Sequence, residues 1–131
     1  MTRVNLSEDC GNSPKNLLIQ TLTVALAKRD SAGVLELASE PFVWDFVGQR
    51  RVEGLEALAG ALEALKQEAV EELTVRHVLT HGIAGASNGV LQMADGRTLA
   101  FCNVFVFSSA KAKAVREITT YLVELEPWKR G

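Results

Sequence analysis

The sequence predicts one α+β domain in which three amphipathic helices precede a four-stranded antiparallel meander. Three observations carry that prediction. Leu18, Leu22, Ala25 and Leu26, and again Leu55, Leu58, Ala59, Leu62 and Leu65, recur at helical spacing. From Leu73 onward the pattern changes to strand alternation, with apolar and polar residues trading faces. Ala94-Asp95-Gly96-Arg97 divides two of those strands with a hairpin signal, because Asp-Gly accepts positive φ at little cost.

Taken in order, residues 1–12 are polar and without period, which predicts a flexible N-terminal tail. Ser13-Pro14 opens the first helix, Ser13 as N-cap and Pro14 where a missing N–H costs nothing. Asp30 caps a short second helix, whose inner face is Val34, Leu35 and Ala38. Pro41 ends the helical region. Phe42 to Val47 is aromatic and β-branched and reads as a strand closed by Gly48, with Arg51-Val52 pairing back onto it. Gly54 then precedes the third helix. The meander comprises Leu73–His81, Gly89–Met93, Thr98–Phe107 and Ala114–Leu125. The domain thus spans 13–126, and 127–131, with Trp128-Lys129-Arg130, form a C-terminal tail.

Composition narrows the function classes. At 131 residues the chain holds one core, and 47% apolar with 23% charged residues is ordinary for a globular domain. A net charge of −2 offers no electrostatic pull toward nucleic acid or anionic lipid. No apolar run reaches the ~20 residues that cross a bilayer, and no signal-peptide pattern opens the chain, so a cytoplasmic protein is expected. Two cysteines, Cys10 in the polar leader and Cys102 within an apolar strand, do not suggest a disulfide. Phosphate loops, Cys-x-x-Cys pairs and serine-hydrolase elbows are absent from the sequence.

The run Phe101-Cys102-Asn103-Val104-Phe105-Val106-Phe107 is apolar on both faces. An antiparallel strand with one wet face should alternate, so both faces need cover. Three short helices cover one. A second copy of the chain is expected on the other, forming a homodimer through the sheet; a strand–loop cover within one chain is the alternative.

The element order resembles the cone-shaped fold shared by nuclear transport factor 2, ketosteroid isomerase, scytalone dehydratase and the SnoaL-like polyketide cyclases. The segment Val43-Trp44-Asp45-Phe46-Val47-Gly48, followed by Gly54 opening a helix, is similar to the ketosteroid isomerase stretch that carries the general base. Asn103 to Phe107, a polar turn, and Val115 to Tyr121 resemble the final hairpin of SnoaL-like sequences. The likeness spans residues 13 to 125. It implies a curved antiparallel sheet wrapped as a cone around three N-terminal helices (a cystatin-like roll), enclosing an apolar pocket.

The resemblance puts Asp45 at the base position and Asn103 where ketosteroid isomerase holds a protonated acid. Leu22, without a donor, stands at the position of the helix tyrosine of its oxyanion hole. One such donor is worth ~3 kcal/mol, so ketosteroid isomerisation itself is not expected. The match also points Ile118 and Thr120 inward. Two readings follow. In the first, a cofactor-independent isomerase, cyclase or dehydratase acts on a small apolar carbonyl compound. Asp45 is its base, Asn103 and His77 its hydrogen-bond donors, and Leu22, Phe101 and Phe105 its apolar walls. In the second, the same fold is a non-catalytic ligand-binding or dimerisation module. Alternation sets His77 and His81 on one strand face with Leu73, Val75 and Leu79. Four residues of strand separate the two histidines by ~13 Å, too far to share a metal that needs nitrogens at ~2.1 Å. No metal and no cofactor are expected.

Overall fold

The structure, a computed structural model, describes residues 1–8, 11–109, 111 and 113–126. Cys10 and the Trp128-Lys129-Arg130 segment lie outside the described residues. Strand β1 (Arg3–Leu6) comes first, then helices α1 (Pro14–Ala27) and α2 (Ser31–Leu37), strands β2 (Ala38–Phe46) and β3 (Arg50–Glu53), and helix α3 (Leu55–Leu65). Strands β4 (Val70–His81), β5 (Ala84–Met93), β6 (Thr98–Phe107) and β7 (Val115–Leu125) complete the chain.

Local chemistry explains the helix ends. The Ser13 hydroxyl accepts the Asn16 N–H at 3.1 Å, and the Asp30 carboxylate accepts the Gly33 N–H at 3.0 Å. Helix α3 starts at Gly54, whose φ of +91° suits glycine. At the end of α1, Arg29 N–H bonds Leu26 O and Asp30 N–H bonds Ala25 O, a Schellman closure. Its left-handed position, usually glycine, is held here by Arg29 at φ +58°.

The seven strands form one open sheet in the order β1-β4-β5-β6-β7-β2-β3. β4 to β7 are the expected antiparallel meander, but β1 runs parallel to β4 and β2 parallel to β7, so the sheet is mixed. β1 corrects the expectation of a loose tail over 1–12: Arg3 to Leu6 pair with Glu72 to Val75. Pro41, lacking an N–H, falls where the β2–β7 register slips between Ala38 and Val43.

Helix α1 packs on β4 and β5, α2 on α1 and α3, and α3 on β2 and β3. The core between helices and sheet holds Ile19, Leu22, Leu58, Leu62, Phe105 and Ile118, all at most 1% exposed. The opposite sheet face is not covered by any described residue at Leu79, Val104, Tyr121 and Val123, which are 37–68% exposed.

An irregularity in β4 decides which side chains reach the core. Val75 pairs with Gly89 but His77 pairs with Asn88, so Arg76 is an extra residue in a β-bulge. Before it Leu73 and Val75 point inward; after it Val78 does. His77 and Leu79, placed inside by simple alternation, are exposed instead. Gly89 faces this bulge. A Cβ there would stand 1.9 Å from the Thr74 carbonyl oxygen, so only glycine lets the two backbones approach.

Candidate functional site

A cavity of about 320 Å³ opens between the sheet and the C-terminal half of α1. Its walls are apolar: Leu26 and Ala27 of α1, Leu65 of α3, Leu73, Leu91 and Met93 of β4–β5, and Leu99, Phe101 and Leu122 of β6–β7. Trp44 and Phe46 of β2 also line it, their rings stacked with centroids 4.3 Å apart. The volume is at the low end of the ~300–1,000 Å³ usual for small-molecule sites. It is roughly twice a 150 Å³ cavity that accepts benzene.

One polar relay enters this apolar room. Trp44 Nε1 donates to Thr120 Oγ1 at 2.8 Å, and Thr120 Oγ1 donates to Asn103 Oδ1 at 2.6 Å. An indole nitrogen only donates, so Thr120 must spend its proton on Asn103 and the amide must turn its oxygen toward Thr120. Asn103 Nδ2 has no protein partner among the described residues and is not sealed in by packing, so its N–H groups are available to the cavity that Asn103 lines. Each bond polarises the next, which strengthens that terminal donor. A second buried pair braces α1: Thr23 donates to Ile19 O at 2.7 Å. Having spent its proton, Thr23 accepts from Ser87, 2.8 Å away.

Ionisable side chains in the lining are confined to Arg29, Glu68, Arg97 and Glu124, of which the two glutamates are exposed and mark the mouth. Arg97 reaches Asp95 at 2.8 Å, Glu68 at 3.4 Å and Glu124 at 3.9 Å, tying together three segments. The Arg97 backbone N–H and then its guanidinium hold the Asp95 carboxyl below its ordinary value, and that carboxylate holds Arg97 above its own. Arg29 donates to Leu26 O at 3.1 Å and to Glu68 O at 2.9 Å and 3.1 Å. Burial lowers the Arg29 pKa, with the nearby Glu68 charge opposing that shift.

The sequence-derived residues divide in three. Asn103, Thr120 and Phe101 line the cavity together. Leu22, Phe105 and Ile118 are buried in the solid core beside it and do not line it. Asp45 and His77 lie elsewhere, against expectation. Asp45 is half-buried on the sheet face opposite Trp44 and Phe46, between Arg51 of β3 and Thr119 of β7. Strand alternation forces one or the other inward, and two aromatic rings in the core outweigh a carboxylate that would lose its water. His77 is exposed because of the bulge, with its Nδ1 2.9 Å from Asn88 Oδ1. Sequence reasoning missed Thr23 as a lining residue and the mouth quartet. Thr23 was legible as the polar residue beside the apolar stripe of α1; the quartet joins positions far apart in the chain and left no local signal.

No family model and no curated protein matches the sequence. Solved structures do match the backbone. An NTF2-like protein from Burkholderia xenovorans aligns with a TM-score of 0.71 at 16% identity, over 90% of this chain and 88% of that one. An LEH-like epoxide hydrolase from M. tuberculosis aligns at 0.68 and 17% identity, over 82% and 80% of the two chains. A proposed ketosteroid isomerase from Kribbella flavida aligns at 0.69 and 18%, over 90% and 84%. With three helices against an open seven-stranded sheet and these neighbours, the chain has the nuclear transport factor 2-like fold.

Proposed function

We propose that this protein binds a small, largely apolar molecule in the cavity between α1 and the sheet, with Asn103 Nδ2 giving it one directional hydrogen bond. The observation that carries the reading is the Trp44–Thr120–Asn103 relay, which ends on an uncommitted donor inside apolar walls. A few uncharged polar groups in a largely hydrophobic enclosure orient a ligand without demanding charge on it, and Asn103 is the one that the relay aims. Structural neighbours include an isomerase-like and an epoxide-hydrolase-like protein, so catalysis is compatible with the fold. A cofactor-independent isomerase, cyclase or dehydratase would also need a base beside that donor. Glu68 and Glu124 are the lining carboxylates, and both stand at the mouth in ion pairs with Arg97. Binding is therefore the better-supported role.

The test is an NMR titration with 2-acetylnaphthalene, following the Asn103 side-chain amide. Selective shifts of Asn103 Nδ2–H and of Phe101 and Met93 methyl or ring signals are expected. Asn103→Leu should weaken binding about tenfold, the worth of one hydrogen bond of ~1–1.5 kcal/mol. Saturable binding that leaves every cavity resonance unmoved would refute the site.

We further propose a homodimer through the outer face of the sheet. The support is an apolar strip, Leu79, Val104, Tyr121 and Val123, that no described residue covers. Analytical ultracentrifugation should give twice the chain mass, and Leu79→Glu with Val123→Glu should give the single chain. A wild-type monomer at 100 µM would overturn this.

A further inference from the structure

The cavity's interior and its mouth differ in a way that bears on ligand charge. Inward of Arg29, Glu68, Arg97 and Glu124, every lining side chain is uncharged. At the mouth two arginines face two glutamates, so the lining as a whole is neutral. Neither arginine is idle. Arg97 is shared by Glu68, Glu124 and Asp95, and Arg29 is spent on the carbonyls of Leu26 and Glu68. Three of Arg29's guanidinium nitrogens, Nε, Nη1 and Nη2, are engaged in those bonds, so the group is anchored rather than free to follow a ligand.

An anion entering this cavity would shed its water and meet no uncommitted cation. A cation would meet glutamates already claimed by Arg97. Desolvating a charge without a partner is among the most costly steps in binding. A neutral molecule pays no such cost, and the Asn103 donor offers its oxygen a hydrogen bond, with the Gln49 amide a second uncharged polar group in the lining.

We infer that the ion-pair lattice around Arg97, whose single charge is shared among Glu68, Glu124 and Asp95, makes the cavity selective for uncharged ligands carrying an acceptor oxygen, such as ketones, esters or ethers, and that Glu68 and Glu124 set this selectivity. The inference rests on the binding role proposed above. It assigns Glu68 and Glu124 a function unrelated to proton transfer: they keep the arginines from recruiting acids.

Three probes of one shape separate the possibilities: 2-acetylnaphthalene, 2-naphthoate and 2-naphthylmethylammonium, titrated calorimetrically at low salt. The wild-type protein should bind the ketone at least tenfold more tightly than either ion. In Glu68→Gln with Glu124→Gln the lattice loses two negative charges, and the ketone-to-naphthoate affinity ratio should fall by about tenfold. That fall should shrink at 0.5 M salt, where the Debye length is only a few ångströms. The control removes the same charge outside the cavity lining: Glu56→Gln with Glu63→Gln, both exposed on α3 and neither bonded to Arg97, should leave the ratio unchanged. Equal binding of ketone and naphthoate by the wild type, or an unchanged ratio in the mouth variant, overturns the selectivity while leaving the binding role standing. If none of the three binds the folded protein, the binding role fails and the selectivity goes with it.

Discussion

Replacing Thr120 by valine isolates the relay. The two side chains have nearly the same shape, so packing around position 120, which is 6% exposed, changes little. What disappears is one hydroxyl that both accepts from Trp44 Nε1 and donates to Asn103 Oδ1. Two buried polar groups lose their partner at once, each at a cost of about 1–3 kcal/mol. The adjoining 320 Å³ cavity can admit water to one or both, which favours the low end of that range. A net loss of about 2–3 kcal/mol is expected. For 131 residues the unfolding entropy is roughly 0.28 kcal/mol/K, so Tm should fall by about 7–11 °C. Urea unfolding followed by far-UV circular dichroism measures the first number and calorimetry the second. Thr120→Ser keeps the hydroxyl and loses one methyl, for about 0.5–1.5 kcal/mol. A valine variant within 0.5 kcal/mol of wild type, or one no worse than the serine variant, would refute the relay as a structural unit.

Three further outcomes are expected. Gly89→Ala places a Cβ 1.9 Å from Thr74 O, so the strands must part; a loss of about 3 kcal/mol or failure to fold is expected, read from urea midpoints. Asp45→Asn should leave 2-acetylnaphthalene affinity within twofold of wild type, because the carboxylate sits on the far side of the sheet from the cavity; a tenfold change would return Asp45 to the site. Asp95 has a folded-state pKa below its unfolded value, so its contact with Arg97 contributes stability above about pH 4 and loses it as pH falls through the depressed value. Carbonyl-detected NMR should put the Asp95 midpoint below ~3.9, and in Arg97→Ala the midpoint should return toward that value.

Much of the fold could be read in the sequence because its signals were local. Ser13 and Asp30 cap where their short side chains predict, Gly96 takes the positive φ that the Asp-Gly turn requires, and α3 follows its leucine stripe. β6 runs from Thr98 to Phe107 as its hydrophobicity indicated. β1 was illegible for the converse reason. Arg3-Val4-Asn5-Leu6 alternates polar and apolar for only four residues, too short a run to stand out, and it pairs with a parallel edge of β4 nearly 70 residues away in sequence.

The site was half legible. Asn103 and Thr120 came from the family resemblance and Phe101 from the apolar run of β6; all three line the cavity, in a stretch of β6 and β7 whose register slips only farther along, at Val106–Phe107. His77 was misplaced because a bulge changes the count by one and leaves no mark in residue type. Asp45 was misplaced differently. The alternation already set it opposite Trp44 and Phe46, and the energetics of burying two rings decided which side went in.

The extra residue at Arg76 also shows how this sheet absorbs a change in length. Deleting that one position would leave Val75 opposite Gly89 and His77 opposite Asn88, closing the register into regular alternation with Val78 still inward and His77 and Leu79 still outward. One codon can therefore be gained or lost at this point of β4 while every neighbouring side chain keeps its environment.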